Sequence, residues 1–166
     1  NRDFLIGADF ARRAHLEILP EPSLIHLGTQ AVLLCHGDSL CTDDVAYQAF
    51  RGQVGTQAYQ AQFLSQPLAA RKQFIAGIRQ KSEAAKAVKS AEIMDANEEA
   101  IVALLRGHGY PALVHGHTHR PAQHHVSVDG HTCERWVLAD WRVNEGKASG
   151  EVLVWADGMF SRQSLE

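Results

Sequence analysis

The sequence predicts a layered α/β fold, and three features of the chain carry this prediction. Short apolar runs at residues 31–35 and 112–115 each end in a histidine-bearing loop, as buried strands do. Residues 43 to about 105 show no strand pattern and are rich in helix-favouring Ala, Gln, Lys, Glu and Leu. In the rest of the chain, after these helices and loops, apolar and polar residues alternate with a period of two, as in strands. Together these features indicate a sheet with a helical insertion between two of its strands.

Length and composition bound the class of protein. The chain has 166 residues, of which 45% are hydrophobic and 21% charged, the profile of one ordinary soluble domain. This composition excludes a disordered or collagen-like chain, and a fold of this size buries roughly 70% of the surface that its unfolded form exposes. The net charge of −3 argues against a protein that coats nucleic acid, so we expect no nucleic-acid partner.

The helices can be placed by their breaks and caps. Residues 9–15 predict a short first helix, and the insertion should break near Gly52, Gly55 and Pro67. Its last helix has a start signal in Asp95. Glu98 follows three residues later. The apolar positions of this helix are Ile101, Val102, Leu104 and Leu105, and its stop signals are Gly107 and Gly109.

Three strands are expected after the second histidine-bearing loop. They cover residues 125–128, 135–141 and 151–156, and Asp129-Gly130 predicts a tight turn after the first of them. The tryptophans of these strands are expected to pack in the core rather than to contact a substrate. They are Trp136, Trp141 and Trp155.

The cysteines and the hydropathy indicate a cytoplasmic protein. Cys35, Cys41 and Cys133 are odd in number and lack a Cys-x-x-Cys spacing, which favours a reducing compartment. Cys35 should be a small buried hydrophobe facing away from His36. No apolar stretch approaches the roughly 20 residues that cross a bilayer, so we expect at most peripheral membrane association.

Histidines are concentrated in one part of the chain. Six of the ten fall between His115 and His131. In an extended segment His117 and His119 would point to the same side, and Gly116 would let the backbone approach closely. Neutral imidazole is a common ligand of transition ions, so this segment predicts a metal site. The alternative is adventitious metal binding by a His-rich tract.

Two further residues gain weight from their positions. His36 ends an apolar strand, at the loop edge where α/β sheets hold ligands, although a strand-end histidine is more often simply hydrogen-bonded. Asn1 precedes Arg2 and Asp3, and by itself is a typical turn residue. Both become candidate metal ligands only as members of a set.

That set resembles a known family. Asn1-Arg2-Asp3, His36-Gly37-Asp38 and Gly116-His117-Thr118-His119 occur in the order of the last three metal blocks of calcineurin-like metallophosphoesterases. Segments 1–7, 36–44, 47–50, 93–95 and 115–121 are similar to members that cleave the pyrophosphate bond of a nucleotide-linked diacyl sugar in lipid A biosynthesis. The resemblance implies a metal-dependent hydrolase with a layered calcineurin-like sandwich and a lipid-nucleotide substrate.

The resemblance also implies the metal ligands. A pair of divalent ions, manganese first, would be held by Asn1, His36 and His117 at one position and by His119 at the other. The family's earlier Asp-x-His and Gly-Asp blocks do not occur upstream of Asn1, so we expect a sandwich that is incomplete at its N-terminus. Closely spaced cations need a bridging anion and several ligands each. The chain alone is therefore expected to be metal-poor and inactive.

The helical insertion, about residues 45–92 of a single 1–166 domain, is expected to be a substrate lid. Residues 71–89 carry six basic residues against the single acid Glu83, which predicts an anionic ligand or, alternatively, a solvated face. Arg2 and His117 are the expected catalytic residues, although Arg2 could instead pair with Asp3. The resemblance assigns substrate contacts to Asn1, Arg2, Asp44, Ser82, Lys86, Lys89 and His117, with Tyr47 and Arg79 as plausible neighbours.

Apolar residues in the insertion have three possible roles. They could wall a slot for two acyl chains, rest on the inner face of the inner membrane, or form ordinary core. The residues are Phe63, Leu64, Leu68, Phe74, Ile75 and Ile78.

Two other functions stay open: a metallophosphoesterase for another nucleotide or a phosphoprotein, and a non-catalytic His-rich metal-binding module. The sequence leaves the oligomeric state open.

Overall fold

A computed structural model describes residues 5–88, 93–144 and 147–165, and the chain divides into two compact units. The helical unit comprises the described parts of residues 1–17 and 41–95. The sheet unit comprises the described parts of residues 18–40 and 96–166. Helices and a mixed sheet together confirm the predicted α/β class.

The main sheet of the sheet unit has the strand order β1-β2-β3-β5-β4. β2 pairs parallel with β3, and β3 parallel with β5, whereas β1 and β4 are antiparallel to their neighbours. Cys35 is in register with His115, so the loops after β2 and β3 leave the same edge of the sheet. The strands are β1 Ser23–Leu27, β2 Gln30–Cys35, β3 Ala112–His115, β4 Ala122–Val128 and β5 His131–Val137.

The rest of the sheet unit packs around this sheet. A 3-10 helix, Asp38–Leu40, follows β2, and α5, Glu98–Gly107, precedes β3. A second, antiparallel sheet has the order β6-β7-β8. Its strands are β6 Arg142–Asn144, β7 Lys147–Ala156 and β8 Met159–Leu165.

The core of the sheet unit lies in two clusters that follow the pleat of the strands. On β2, Leu33 belongs to one cluster and its neighbour Val32 to the other, and on β3 Leu113 and Val114 divide in the same way. Successive side chains of a strand point to opposite faces, so both faces of the sheet are covered. This is why these strands are continuous apolar runs in the sequence.

The helical unit is built from helices with local caps. The Asp44 carboxylate accepts a hydrogen bond from the Tyr47 backbone N–H at 3.1 Å, and the Thr56 hydroxyl accepts one from the Tyr59 N–H at 3.3 Å. Such caps satisfy backbone donors that the first turn of a helix leaves unpaired. The helices are α1 Ala8–Ala14, α2 Val45–Val54, α3 Gln57–Leu64 and α4 Leu68–Val88. Within the described ranges, none of the helices is long and apolar enough to cross a membrane.

Some helix boundaries differ from the sequence predictions. Gly55 and Pro67 do fall between helices, but Gly52 lies inside α2, so the predicted break there is wrong. A single glycine weakens a helix without ending it. Asn97, not Asp95, caps α5, because the Asn97 side chain accepts a hydrogen bond from the Ala100 N–H at 3.1 Å.

The tryptophans divide between core and surface. Trp136 is buried on β5, which confirms its core role, and Trp155 lies half-buried on β7. The predicted strand at 135–141 is wrong beyond Val137, and Trp141 is 65% exposed. The Trp141 indole donates to the Glu151 carbonyl, and its ring occupies the space where a Cβ on Gly150 would stand.

Strands β1 and β8 are absent from the sequence prediction. Their burial alternates between half-buried and exposed positions, so neither forms a continuous apolar run. No disulfide joins the three cysteines, all of which lie in the described ranges. Cys35 is only partly buried and packs against the cluster that contains Leu33.

Candidate functional site

The loops after β2 and β3 bring His36 and His117 together. The Gly116 backbone N–H donates to the His36 carbonyl at 3.0 Å, which joins the two loops directly. The ring centroids of His36 and His117 lie 5.0 Å apart in an edge-on arrangement. Both loops leave one edge of a parallel strand pair, the position where α/β sheets hold ligands.

The backbone of the second loop is turned rather than extended. His117 and His119 have φ values of 68° and 54°, and the Thr118 N–H donates to the Gly116 carbonyl at 2.8 Å. The expectation that these histidines share a side because they lie in an extended segment is therefore wrong. Positive φ is costly for residues with a side chain, and here the surrounding fold imposes it.

His117 is electrostatically unusual. Burial lowers its pKa from 6.5 to about 4, and the nearby charge of His36 lowers it further, while Asp38 acts in the opposite direction. The imidazole is therefore neutral at neutral pH and keeps a lone pair on one ring nitrogen. A histidine must be neutral to bind a metal ion through that nitrogen.

Two carboxylates lie close to His36. Asp38 is buried, and its Oδ1 lies 3.3 Å from His36 Nδ1. The Glu21 carboxylate accepts a hydrogen bond from the His36 backbone N–H at 3.1 Å. Neither acid has a role among the sequence predictions, although the position of Asp38 in His36-Gly37-Asp38 is a usable signal. A carboxylate on a ligand histidine fixes its ring orientation.

His119 pairs with a different acid. Its Nδ1 lies 3.6 Å from Asp140 Oδ2, which accepts a 2.6 Å hydrogen bond from Arg142 Nε. That hydrogen bond holds the pKa of Asp140 below its ordinary value. The charge of His119 acts on His117, but its ring is exposed and faces Asp140. Sequence reasoning missed Asp140 and Arg142, which lie beyond the strand that carries the loop.

The described residues do not by themselves form a complete metal site. Among the described residues, no group of three or more histidine, cysteine, aspartate or glutamate side chains is arranged to hold one. His36 and the neutral His117 fit the nitrogen part of such a site, since transition ions accept imidazole. Asn1 and Arg2, the other residues expected here, lie outside the described residues.

The helical unit contains three described residues that are expected to contact substrate, Asp44, Tyr47 and Arg79, whereas His117 lies in the sheet unit. Asp44 and Tyr47 meet at the start of α2, where Asp44 serves as the helix cap, and Arg79 is exposed on α4. The side chains of Ser82 and Lys86, and the whole of Lys89, lie outside the described residues. The structure therefore shows a capping role for Asp44 that the sequence argument did not assign.

An amphipathic groove of about 540 Å³ lies in the helical unit, along α4. Three of the six apolar residues considered for an acyl slot line it, whereas Leu64 and Phe74 are about half exposed. Arg71 Nε is buried and, in the described part of the chain, has no hydrogen-bond partner. The lining residues are Phe63, Leu68, Arg71, Lys72, Ile75, Ala76 and Arg79.

Comparison with known proteins identifies relatives of this chain. No protein-family profile matches it. A UDP-2,3-diacylglucosamine hydrolase of Aromatoleum aromaticum is 61% identical over 141 residues, 85% of this chain and 58% of the relative. The proteins of that name from Stenotrophomonas maltophilia and Xanthomonas campestris are 49% and 47% identical, over 85% and 98% of this chain and 60% and 67% of their own lengths.

These comparisons place the chain in two steps. It is an α/β protein whose relatives are named as hydrolases, with a histidine pair at the end of two parallel strands. More narrowly, it belongs to the UDP-2,3-diacylglucosamine hydrolase family. The chain spans about three fifths of the length of the relatives from Aromatoleum aromaticum and Stenotrophomonas maltophilia.

Proposed function

We propose that the protein hydrolyses the pyrophosphate bond of UDP-2,3-diacylglucosamine to UMP and 2,3-diacylglucosamine 1-phosphate, a step of lipid A biosynthesis. The observation that carries the proposal is the 5.0 Å approach of the His36 and His117 rings at the end of β2 and β3. Membership of the hydrolase family supports the same reaction. The proposed architecture is a calcineurin-like sandwich, with residues 45–92 as its substrate lid.

The proposed cofactor is a pair of divalent ions, Mn²⁺ first. His36 and His117 would supply nitrogen ligands to one ion together with Asn1, and His119 would serve the other. When bound, such ions supply hydroxide near neutral pH and offset charge on the phosphoryl oxygens. The neutral state of His117 supports its place in this set, because a protonated imidazole has no lone pair to offer.

The chain's own side chains have separate proposed tasks. Asp38 and Glu21 hold His36 in place from its ring and from its backbone N–H. His117, half-buried and neutral, is the proposed catalytic-site histidine. Arg2 would donate hydrogen bonds to phosphoryl oxygens, for which the planar guanidinium is well suited.

The groove along α4 supports a lipid substrate. It combines apolar side chains with the cations Arg71, Lys72 and Arg79, the chemistry required by an acyl chain attached to a phosphorylated sugar. We assign the apolar lining to acyl chains and the cations to phosphate. The further proposed substrate contacts are Asn1, Arg2, Asp44, Tyr47, Ser82, Lys86, Lys89 and His117. A lipid substrate also supports peripheral association with the inner face of the inner membrane.

The test is hydrolysis by the protein at the length its gene encodes. We expect UMP release from UDP-2,3-diacylglucosamine with Mn²⁺, followed by ³¹P NMR. His117→Asn should lower kcat/KM by at least about 100-fold, since even partners of metal ligands cost up to that factor. His125→Asn, at an exposed position on β4, is the matched control and should retain activity.

The alternatives give different results in this assay. Equal rates on a simple aryl phosphodiester would favour a metallophosphoesterase with another substrate, because the lid would then contribute nothing. Absence of hydrolysis with every divalent ion tested would contradict the proposal and favour a non-catalytic metal-binding module.

A further inference from the structure

His115 is a buried polar residue that the proposed reaction does not use. It is the last residue of β3 and is fully buried, directly before the loop that carries His117. Burying an imidazole costs free energy unless its nitrogens are hydrogen-bonded. The partners of His115 therefore indicate why the fold retains it.

Both ring nitrogens of His115 have partners in the sheet unit. Arg135 Nη1 lies 3.1 Å from Nε2, and the Gly116 carbonyl lies 3.0 Å from Nδ1. A guanidinium can only donate, so Nε2 must accept. The proton is therefore on Nδ1, which donates to the Gly116 carbonyl. Arg135 selects one tautomer of His115, and that tautomer holds the backbone of the second loop.

The same ring also contacts the first loop. A Cβ on Gly37 would stand 2.7 Å from His115 Nδ1 and 3.0 Å from the Gly116 carbonyl, so only glycine fits against the ring. Gly37 also has a φ of 101°, which favours glycine. The His115 ring therefore packs against the loop after β2 while it is hydrogen-bonded to the loop after β3.

The backbone around His115 completes the connection. Its carbonyl accepts a 2.7 Å hydrogen bond from the Leu138 N–H, and the next residue, Gly116, donates to the His36 carbonyl at 3.0 Å. A change at the ring would thus reach His36 through Gly37 and His117 through Gly116.

We propose that His115, oriented by Arg135, is a positioning residue that sets the separation of the His36 and His117 rings. Its consequence for metal binding rests on the proposed function, but the ring separation itself does not. The two hydrogen bonds of His115 can be removed independently, because Asn places a donor near the position of Nδ1, and Gln places an acceptor near that of Nε2.

The experiment measures the ring nitrogen and carbon NMR signals of His36 and His117 in the metal-free protein. We expect His115→Asn, which leaves Arg135 without its acceptor, to shift both sets of signals and weaken the ring-to-ring NOE. His115→Gln, which instead removes the donor to the Gly116 carbonyl, should also shift both sets of signals. Arg135→Met removes the donor instead and should act like His115→Asn, which keeps the test available if one variant fails to fold.

Val114→Ala is the matched control. Val114 is buried on β3 next to His115 and packs in the core cluster that also contains Val32. Its truncation should therefore lower stability without moving the His36 and His117 rings. Equal shifts in Val114→Ala, or unchanged signals in both His115→Asn and Arg135→Met, would overturn the proposal.

Binding of Mn²⁺ alone, followed by EPR, connects the proposal to the site. A positioning role predicts affinity about 10- to 100-fold lower in His115→Asn than in Val114→Ala. Movement of the rings with no Mn²⁺ binding even in the wild type would support the positioning role and contradict the proposed metal chemistry.

Discussion

At the scale of single residues, the surroundings of His117 give its imidazole an unusual protonation state. Ten histidines are present, and spacing alone offers several pairs. Burial lowers the pKa of His117 to about 4, so its nitrogen is available at neutral pH. The sequence singles out this residue on the premise of an extended loop, and that premise is wrong, because the loop is turned.

This pKa predicts the pH titration of His117 in the metal-free protein. Because the folded pKa lies below the ordinary 6.5, the unfolded chain takes up a proton first, and stability falls as the pH drops from about 6.5 to 4. The ring signals of His117 in a ¹⁵N NMR titration should stay constant down to about pH 5. A midpoint near 6.5 would contradict the half-buried, neutral state of His117.

At the scale of elements, helix α5 shows what sequence patterns can and cannot determine. Its apolar positions Ile101 and Leu105 are buried as predicted, since periodicity directly reports the buried face of a helix. Its cap was misplaced because Asp95 and Asn97 are both good capping residues. The Asn97 N–H donates to the Leu40 carbonyl at 2.8 Å, a contact between distant segments that no local pattern contains.

The corrected cap can be tested by substitution. Asn97→Ala removes the acceptor for the Ala100 N–H and should lower the free energy of unfolding by about 1 kcal/mol. Glu99→Ala, at an exposed position in the same turn, should cost less than about 0.5 kcal/mol at physiological ionic strength. Urea denaturation of both variants measures the difference, and equal losses would mean that the Asn97 cap contributes nothing.

The turn between β4 and β5 was predicted from Asp129-Gly130 and is confirmed, with φ values of 52° and 84°. The hydrogen bonds that connect this turn to Arg106 of α5 and to Tyr110 were not predicted. Arg106 donates two hydrogen bonds to the Asp129 carboxylate, at 2.6 and 2.8 Å, and the Tyr110 hydroxyl donates a third at 3.1 Å. These hydrogen bonds, that of Arg106 foremost, lower the pKa of Asp129 to about 2.

Asp129→Asn tests the ion pair between Arg106 and Asp129 without disturbing the turn, because Asn also tolerates positive φ. The wild-type carboxylate stabilises the fold fully above its unfolded pKa of 3.8, and that contribution is lost as the pH falls to about 2. We expect a lower Tm for the variant at pH 7 and a smaller difference at pH 3. A difference that does not depend on pH would exclude the ion pair as its source.

At the scale of the whole molecule, the predictable part of the site is the part that the sheet creates. His36 and His117 are distant in sequence, yet parallel pairing of two apolar strands brings their loops to one edge, and this follows from strand patterns. Asp38 lies only two residues from His36, but the contacts of Glu21 with His36, Arg135 with His115 and Asp140 with His119 depend on packing between separate segments. Patterns within one segment do not report such contacts.

The groove along α4 gives the last prediction, which rests on the proposed lipid substrate. Ile75 lines the groove, so Ile75→Ser should remove apolar contact with an acyl chain and raise KM for UDP-2,3-diacylglucosamine by about tenfold, with kcat less affected. Leu64→Ser, on α3 and not among the lining residues, is the control and should leave KM unchanged. An analogue with shortened acyl chains should reduce the difference between the two variants. If Ile75→Ser and Leu64→Ser gave the same KM for the diacyl substrate in steady-state assays, the groove would not be its acyl site, and its cations would serve a purely polar ligand.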